Sequence, residues 1–398
     1  MCSGAQCRGA NGLVASKFVR RLVLMLSVVI AVDTMFYTAL APLLPHFAVR
    51  YGLSKGGAGV LSAMYAAGVL AASVPGGIAA ARFGAKRAVV IGTASTAAAS
   101  LAFGLASDVW TLSLARLAQG VGSACSWAGA LAWVVAVAAP GRRGTVIGTT
   151  MGAAVFGALL GPTLGALATV AGVRATFIGV SAAGFALAGW VATMPGAAAQ
   201  PQPLSALRRA DARLLGGLWL VSLPALLFGV LNVLVPLKLH GRGWSGVAIG
   251  ALFFATAALE MALNPLLGRF TDRRGFLLPI RLALLSSIAI SIALAWAGAA
   301  SLVAALAVAA GIGYGSFFTP GMALVSVSAE QRGIALGIAF GVMNGAWAVG
   351  NAVGPAAGGA LAQAAGDSLP YLLLAAICLA TLAATRAYVQ PRSRPSSS

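Results

Sequence analysis

The chain has 398 residues, of which 60% are hydrophobic and only 8% charged, with 51 glycines and a strongly positive mean hydropathy. Water-soluble globular domains do not show that profile, so the sequence reads as an all-α, polytopic membrane protein. Its formal net charge of +19 would point to nucleic acid in a soluble protein. Here the basic residues sit in short clusters between apolar stretches, as membrane loops do, and a nucleic-acid partner is excluded.

A helix needs about 20 apolar residues to cross the hydrocarbon core. Such stretches fall near 22–45, 57–80, 88–106, 109–132, 145–168, 174–193, 214–236, 245–267, 277–298, 301–326, 333–357 and 369–388. The first is preceded by no apolar leader with a small-residue cleavage site, so it is expected to be retained as a helix. Charged punctuation follows the even-numbered spans: ARFGAKR, PGRRG, LRRADAR, GRFTDRRG and AEQRG, with TRAYVQPRSR after the twelfth. That side holds 20 of the 26 Lys and Arg residues, against five on the other side and Arg116 within span four. The excess predicts cytoplasmic loops on that side and both termini in the cytoplasm. Cys2 and Cys7 lie in the polar N-terminal tail and Cys125 and Cys378 in apolar spans, so neither a disulfide framework nor a metal spacing is present.

Polar residues interrupt the chain midway, at PGAAAQPQPLSALRRADAR, predicting a linker over 195–213 between six-helix halves at 1–194 and 214–398. Motifs recur between the halves. The loop after span two holds Gly77, Arg82 and Gly84, and the loop after span eight holds Gly268, Asp272, Arg273 and Gly275, an offset of 191. In span five, GALLGPTLG holds Gly157, Gly161, Pro162 and Gly165. It returns in span eleven as GNAVGPAAGG, with Gly350, Gly354, Pro355, Gly358 and Gly359, an offset of 193. Two pairs that agree this closely indicate parallel six-helix repeats, which place a cavity at their interface near the bilayer midplane. Small residues four apart let helices touch backbone to backbone, and proline bends the helix there.

With Leu112, Arg116, Gln119, Gly120 and Gly122 of LSLARLAQGVG in span four, these motifs make the chain resemble the major facilitator superfamily, and within it the twelve-span drug:proton antiporters. The resemblance covers nearly the whole chain. It implies a proton-coupled secondary transporter that exports small, partly lipophilic molecules by alternating access, with no cofactor beyond the proton gradient. Its partners would be the substrate, protons and the lipid bilayer of a bacterial inner membrane, and the chain is expected to be monomeric. In the family the loop motif is a cytoplasmic latch. Ala81 stands where the first-half motif has its aspartate, while Asp272 is complete in the second half and is expected near the start of span five, by Arg142 and Arg143. Otherwise Asp272 is a solvated loop charge. The family associates the span-five motif with exporters, which argues against the alternative, a proton symporter taking up a sugar or organic acid. Span one is also similar to the vesicular amine transporters, but Asn232 and Asn344 stand where those have acidic residues in spans seven and eleven, which weakens that likeness. An intramembrane enzyme would need a clustered nucleophile, base or metal site, and no such grouping occurs, so no enzymatic activity is expected.

Seven acidic residues occur; Asp108, Asp211, Asp272, Glu330 and Asp367 are assigned to loops, which leaves Asp33 and Glu260 inside the membrane. Asp33 lies twelve residues past Arg21, about 18 Å along its helix, and Arg116 eight residues past Asp108, about 12 Å from the other side. Across a core about 30 Å thick those depths nearly coincide, which allows an interaction, direct or through water. Burial favours a neutral carboxylate and a nearby guanidinium a charged one, a balance suited to a titrating group. Asp33 is therefore the proton site, tuned by Arg116, the residue that the family implicates in coupling; structurally, Arg116 instead snorkels or bonds carbonyls. Glu260 is a second proton site or a contact for a cationic substrate, or else an internal hydrogen-bonding group. Met35, Phe36, Tyr37, Trp127, Asn232, Met343, Asn344 and Trp347 are candidate cavity linings, because aromatic and methionine side chains give adaptable apolar surface. His46 and His240 fall at outer loop edges and join no constellation.

Overall fold

The computed structural model describes residues 4–137, 143–196, 211–334 and 336–387, so most of the 195–213 linker lies outside the described residues. These residues form fourteen helices and no strand: α1 (Gly4–Thr38), α2 (Leu40–Tyr51), α3 (Lys55–Phe83), α4 (Ala85–Leu105), α5 (Val109–Val137), α6 (Arg143–Ala171) and α7 (Val173–Ala192), then α8 (Ala212–His240), α9 (Gly246–Arg274), α10 (Leu277–Trp296), α11 (Ala300–Gly315), α12 (Phe318–Gln331), α13 (Leu336–Ala365) and α14 (Ser368–Ala387). Twelve crossings result, since α1 with α2 make the first and α11 with α12 the tenth. Ten of them are long and apolar enough to span a bilayer by length and composition alone. The other two, α5 and α13, carry the polar residues Arg116, Gln119 and Ser123, and Asn344 and Asn351.

Several helices run past the hydrocarbon core. Span two, expected over 57–80, extends over Lys55–Phe83, and Asp272 and Glu330 fall within α9 and α12 rather than in loops. Local chemistry fixes the ends. Ser54, Asp211 and Ser245 accept hydrogen bonds from the amides of Gly57, Leu214 and Ala248 at 3.1, 3.0 and 3.2 Å, capping α3, α8 and α9. Gly84, with φ +92°, turns the chain after α3 where a side chain would be strained.

Between apolar helices in lipid no hydrophobic force acts, so close packing of small residues sets who touches whom. The span-five glycines place α6 on α1 and α2. A Cβ at Gly157 would overlap the Ala31 carbonyl, one at Gly161 would meet the Met35 carbonyl at 2.8 Å, and one at Gly165 would meet the Ala39 carbonyl. The span-eleven motif has two partners. Gly350, Gly354 and Gly358 lie against Ser222, Leu226 and Val230 of α8, whereas Pro355 and Gly359 face Gly59 and Lys55 of α3 in the other half. Across the pseudo-twofold relation, Gly250 of α9 packs on Pro162 and Ala166 of α6. The helix pairs α3 with α13 and α9 with α6 therefore join the halves, each by the N-terminal end of one helix and the C-terminal end of the other. Both contacts lie at the end carrying the odd-numbered loops, and that end is sealed. At the Arg-rich end a Cβ added at Gly77, Gly152 or Gly341 would meet nothing.

Candidate functional site

Between the halves lies a cavity of about 1310 Å³ that reaches from Asp33 to Gly77 and Arg82 at the Arg-rich end of α3. Tyr37, Trp127, Asn232, Met343, Asn344 and Trp347 line it, together with Asp33, Arg116 and Glu260. Met35 and Phe36, expected among the linings, are not there. Successive residues of a helix turn by about 100°, so when Asp33 and Tyr37 share the cavity face, Met35 points away from it. Phe36 is buried in the protein, and only its carbonyl enters the site.

Asp33 sits in α1 with 4% of its surface exposed. Its Oδ2 accepts three hydrogen bonds: from Ser123 Oγ at 2.6 Å, Trp127 Nε1 at 2.9 Å and Tyr65 Oη at 3.1 Å. Ser123 and Trp127 are four apart on α5, which puts both donors on one face. Oδ1 is enclosed and accepts no hydrogen bond among the described residues.

Arg116, also buried, donates to the carbonyls of Phe36 at 3.1 Å and Tyr37 at 3.3 Å and to Gln119 Oε1 at 3.0 Å. Gln119 in turn donates to Ser100 Oγ at 3.0 Å. The expected meeting of Asp33 and Arg116 is mediated rather than direct: they form no ion pair among the described residues, and Tyr65 stands between them. Its hydroxyl is on Asp33, and the Arg116 guanidinium lies 5.0 Å from its ring centroid. A cation over an aromatic face is attracted by the ring quadrupole, so Tyr65 connects the two charges without bringing them together. Bonded carbonyls offset the cost of Arg116 in the membrane.

The α3–α13 side of the sealed end is built from one stripe of α13 at spacing four. Trp347 packs on the Tyr37 ring at 5.1 Å between centroids, and Asn351 accepts a hydrogen bond from the Tyr37 hydroxyl. Pro355 and Gly359 touch α3 at Gly59, Gln363 Oε1 accepts from the Gly56 amide at 3.1 Å, and Asp367, just beyond the helix, pairs with Lys55. Residues i and i+4 lie on one face, so a single helix edge makes every one of these contacts. Tyr65, Ser123 and Asn351 were not foreseen. Ser123 is seven residues, about two turns, beyond Arg116, so it lies on the same face of span four. That was the available signal, and Asn351 carries it too, seven residues beyond Asn344 and four beyond Trp347 in span eleven.

Glu260 reaches the cavity from α9, beside Gly315 at the end of α11. Among the described residues no side chain or backbone group hydrogen-bonds or ion-pairs with its carboxylate. Of the loop latch, Gly77 and Arg82 line the open end of the cavity and Arg273 is exposed. Arg142 and the side chains of Asp272 and Arg143 lie outside the described residues. Near the sealed end both histidines, exposed, border a second small cavity of about 310 Å³ with Arg50.

The sequence profile of the Major Facilitator Superfamily matches residues 26–344. The chain belongs to that superfamily. Among curated proteins no sequence matches it. Solved structures share the major facilitator fold at low identity. A bacterial homologue of the human lysosomal transporter Spinster, inward-facing and unoccupied, superposes with a TM-score of 0.78 at 15% identity, covering 95% of this chain and 99% of its own. The xylose transporter XylE from E. coli, partially occluded and inward open, gives 0.75 at 13% identity over 94% and 100%. The nucleoside transporter NupG gives 0.72 at 16% identity over 93% and 100%. At these identities the likeness speaks for the fold alone.

Proposed function

We propose that this major facilitator is a proton-coupled antiporter that exports small, partly lipophilic molecules. The observation that carries the reading is a large, mostly apolar cavity, open at the Arg-rich end, with a carboxylate enclosed in its wall. By the positive-inside rule the open end faces the cytoplasm, which also puts both termini there, in the inner membrane of a bacterium. Residues 1–194 and 214–398 are the two bodies that rock about the linker, in a chain that works as a monomer without a cofactor.

In the proposed cycle Asp33 arrives protonated, its proton on the otherwise unpartnered Oδ1. Cargo entering from the cytoplasm presses on Trp127, whose ring lines the cavity and whose indole N–H is a donor to Oδ2. A firmer donor stabilises the carboxylate form, and the proton leaves. The halves then rock: the α13 stripe parts from α3, and the latch loops with Gly77, Arg82, Gly84, Gly268, Asp272, Arg273 and Gly275 come together. Outside, a proton returns to Asp33, cargo dissociates, and the protonated carrier resets. Arg116 stays charged throughout and holds the Asp33–Tyr65 geometry.

Everted vesicles test the reading. With an imposed inside-acid gradient the wild-type chain is expected to accumulate a lipophilic probe such as ethidium or chloramphenicol and to lose it when the gradient is collapsed. Asp33→Asn should abolish that uptake while the protein remains folded in the membrane. Full activity of Asp33→Asn removes the aspartate from the mechanism. Gradient-driven depletion of a sugar or organic acid from the vesicles would favour the symporter instead.

A further inference from the structure

The cavity wall holds two carboxylates, and they are not alike. Among the described residues its charged side chains are Asp33, Arg82, Arg116 and Glu260. Arg82 lies at the mouth, and Arg116 is committed to two carbonyls and Gln119. The Asp33 carboxylate is closed off from anything in the cavity, because three donors occupy Oδ2 and the protein encloses Oδ1. Glu260 has no donor and no counter-charge from the protein among the described residues. It lines the cavity, and Gly315 leaves room for it there: a Cβ on that residue would fall 2.7 Å from Glu260 Cδ. A carboxylate in a low-dielectric wall is costly unless paired or neutralised, and here the missing partner has to come from the cavity.

We propose that Glu260 is a binding subsite for the positive group of an organic cation, with the cargo's apolar body against Trp347 and Tyr37, and that Asp33 handles protons only. The inference rests on the transporter reading above and adds the cargo's charge to it. Asn232 and Asn344 offer neutral hydrogen bonds on the same half, and neither supplies a charge, which leaves Glu260 as the counter-ion. The aromatic rings of Trp347 and Tyr37, which line the same cavity, suit a delocalised or alkylated cation better than a strongly hydrated ammonium. When no cargo is bound, a proton on Glu260 removes the cost of the bare charge.

The test compares two probes of closely similar shape, methyltriphenylphosphonium and neutral triphenylphosphine oxide, with binding to the purified protein followed by quenching of its tryptophan fluorescence. Wild type is expected to bind the cation at least tenfold tighter than the oxide. Glu260→Gln should lose that preference, weakening the cation tenfold or more and the oxide by less than twofold, while Glu260→Asp retains it. Gly315→Ala, which displaces the carboxylate and keeps the charge, should weaken the cation alone. Equal weakening of both probes in Glu260→Gln, no weakening of either, or a wild type that does not prefer the cation overturns the subsite. Failure of the transporter reading looks different: cation preference that depends on Glu260, with no gradient-driven transport and no effect of Asp33→Asn.

Discussion

Replacing Gly59 by alanine is predicted to open the sealed end. The new Cβ would overlap the Pro355 carbonyl and come within 3.2 Å of Gly359 Cα, both on α13 in the other half. Those are backbone atoms, so relief requires α3 and α13 to move apart. Overpacking of this kind costs about 1–3 kcal/mol, and the cost falls only on the sealed state. At about 1.4 kcal/mol per tenfold, the open population should rise roughly 5- to 140-fold. The helix-propensity gain from glycine to alanine is shared by both states and cancels. The assay is labelling of Ser62→Cys, a cavity-lining position on α3, by a membrane-impermeant maleimide applied to right-side-out vesicles, with the native cysteines replaced. Gly157→Ala is the contrast, because its clash with Ala31 lies within one half; it should lower thermal stability and leave labelling unchanged. Gly179→Ala, which meets nothing, should do neither. An unchanged labelling rate in folded Gly59→Ala would refute the assignment of α3 and α13 as the seal.

Tyr37→Phe removes the hydrogen bond to Asn351 and keeps the ring against Trp347. A net contribution of about 0.5–1.5 kcal/mol predicts labelling of Ser62→Cys up to about tenfold faster, with Asn351→Ala giving the same increase. The Lys55–Asp367 pair is partly exposed, at 41% and 22% of the side chains, so Asp367→Asn should alter labelling no more than about fivefold. High salt should make wild type resemble the variant. Asp211 lies outside the membrane and caps α8; the Leu214 amide first, and then Arg332 at 2.7 Å, hold its carboxyl below the usual carboxylate range. A group with a depressed folded-state pKa stabilises above its unfolded value, about 3.9, and loses that contribution as pH falls through the folded one. Melting temperatures of wild type and Asp211→Asn, which keeps the cap, should therefore differ at neutral pH and converge below about pH 4. A constant difference would contradict the charge's role.

Most of the fold was legible because lipid imposes it. Backbone polar groups must be satisfied within each apolar stretch, so run length alone yields helices. Repeated glycines reveal the twofold relation, and rows of small residues mark faces that must touch. Which face touches which partner was not legible: in both copies glycines pack inside their own half, Gly157 and Gly161 on α1 and Gly350 and Gly354 on α8, while Pro162 and Pro355 face the other half, at Gly250 and Gly59. Depth along the helix is a one-dimensional quantity, and it placed Asp33 and Arg116 near each other. Rotation about the helix axis is set by packing between helices, so Tyr65, which intervenes, and the loss of Met35 and Phe36 from the cavity were hidden. The α13 stripe from Trp347 to Gln363 illustrates the limit. Its period of four is plain, but five residues of such different chemistry suggest no common task until Gly59 and Tyr37 are seen opposite them.

The central claim is that cargo and proton exchange through Asp33, and the most direct measurement is proton release when cargo binds. A saturating uncharged lipophilic probe such as chloramphenicol, which displaces no proton from Glu260, added to purified wild-type protein in weakly buffered detergent solution with a pH indicator should release protons, and the same addition to Asp33→Asn should release none while the probe still binds. Equal release from both proteins, or none from wild type at saturation, would contradict the account.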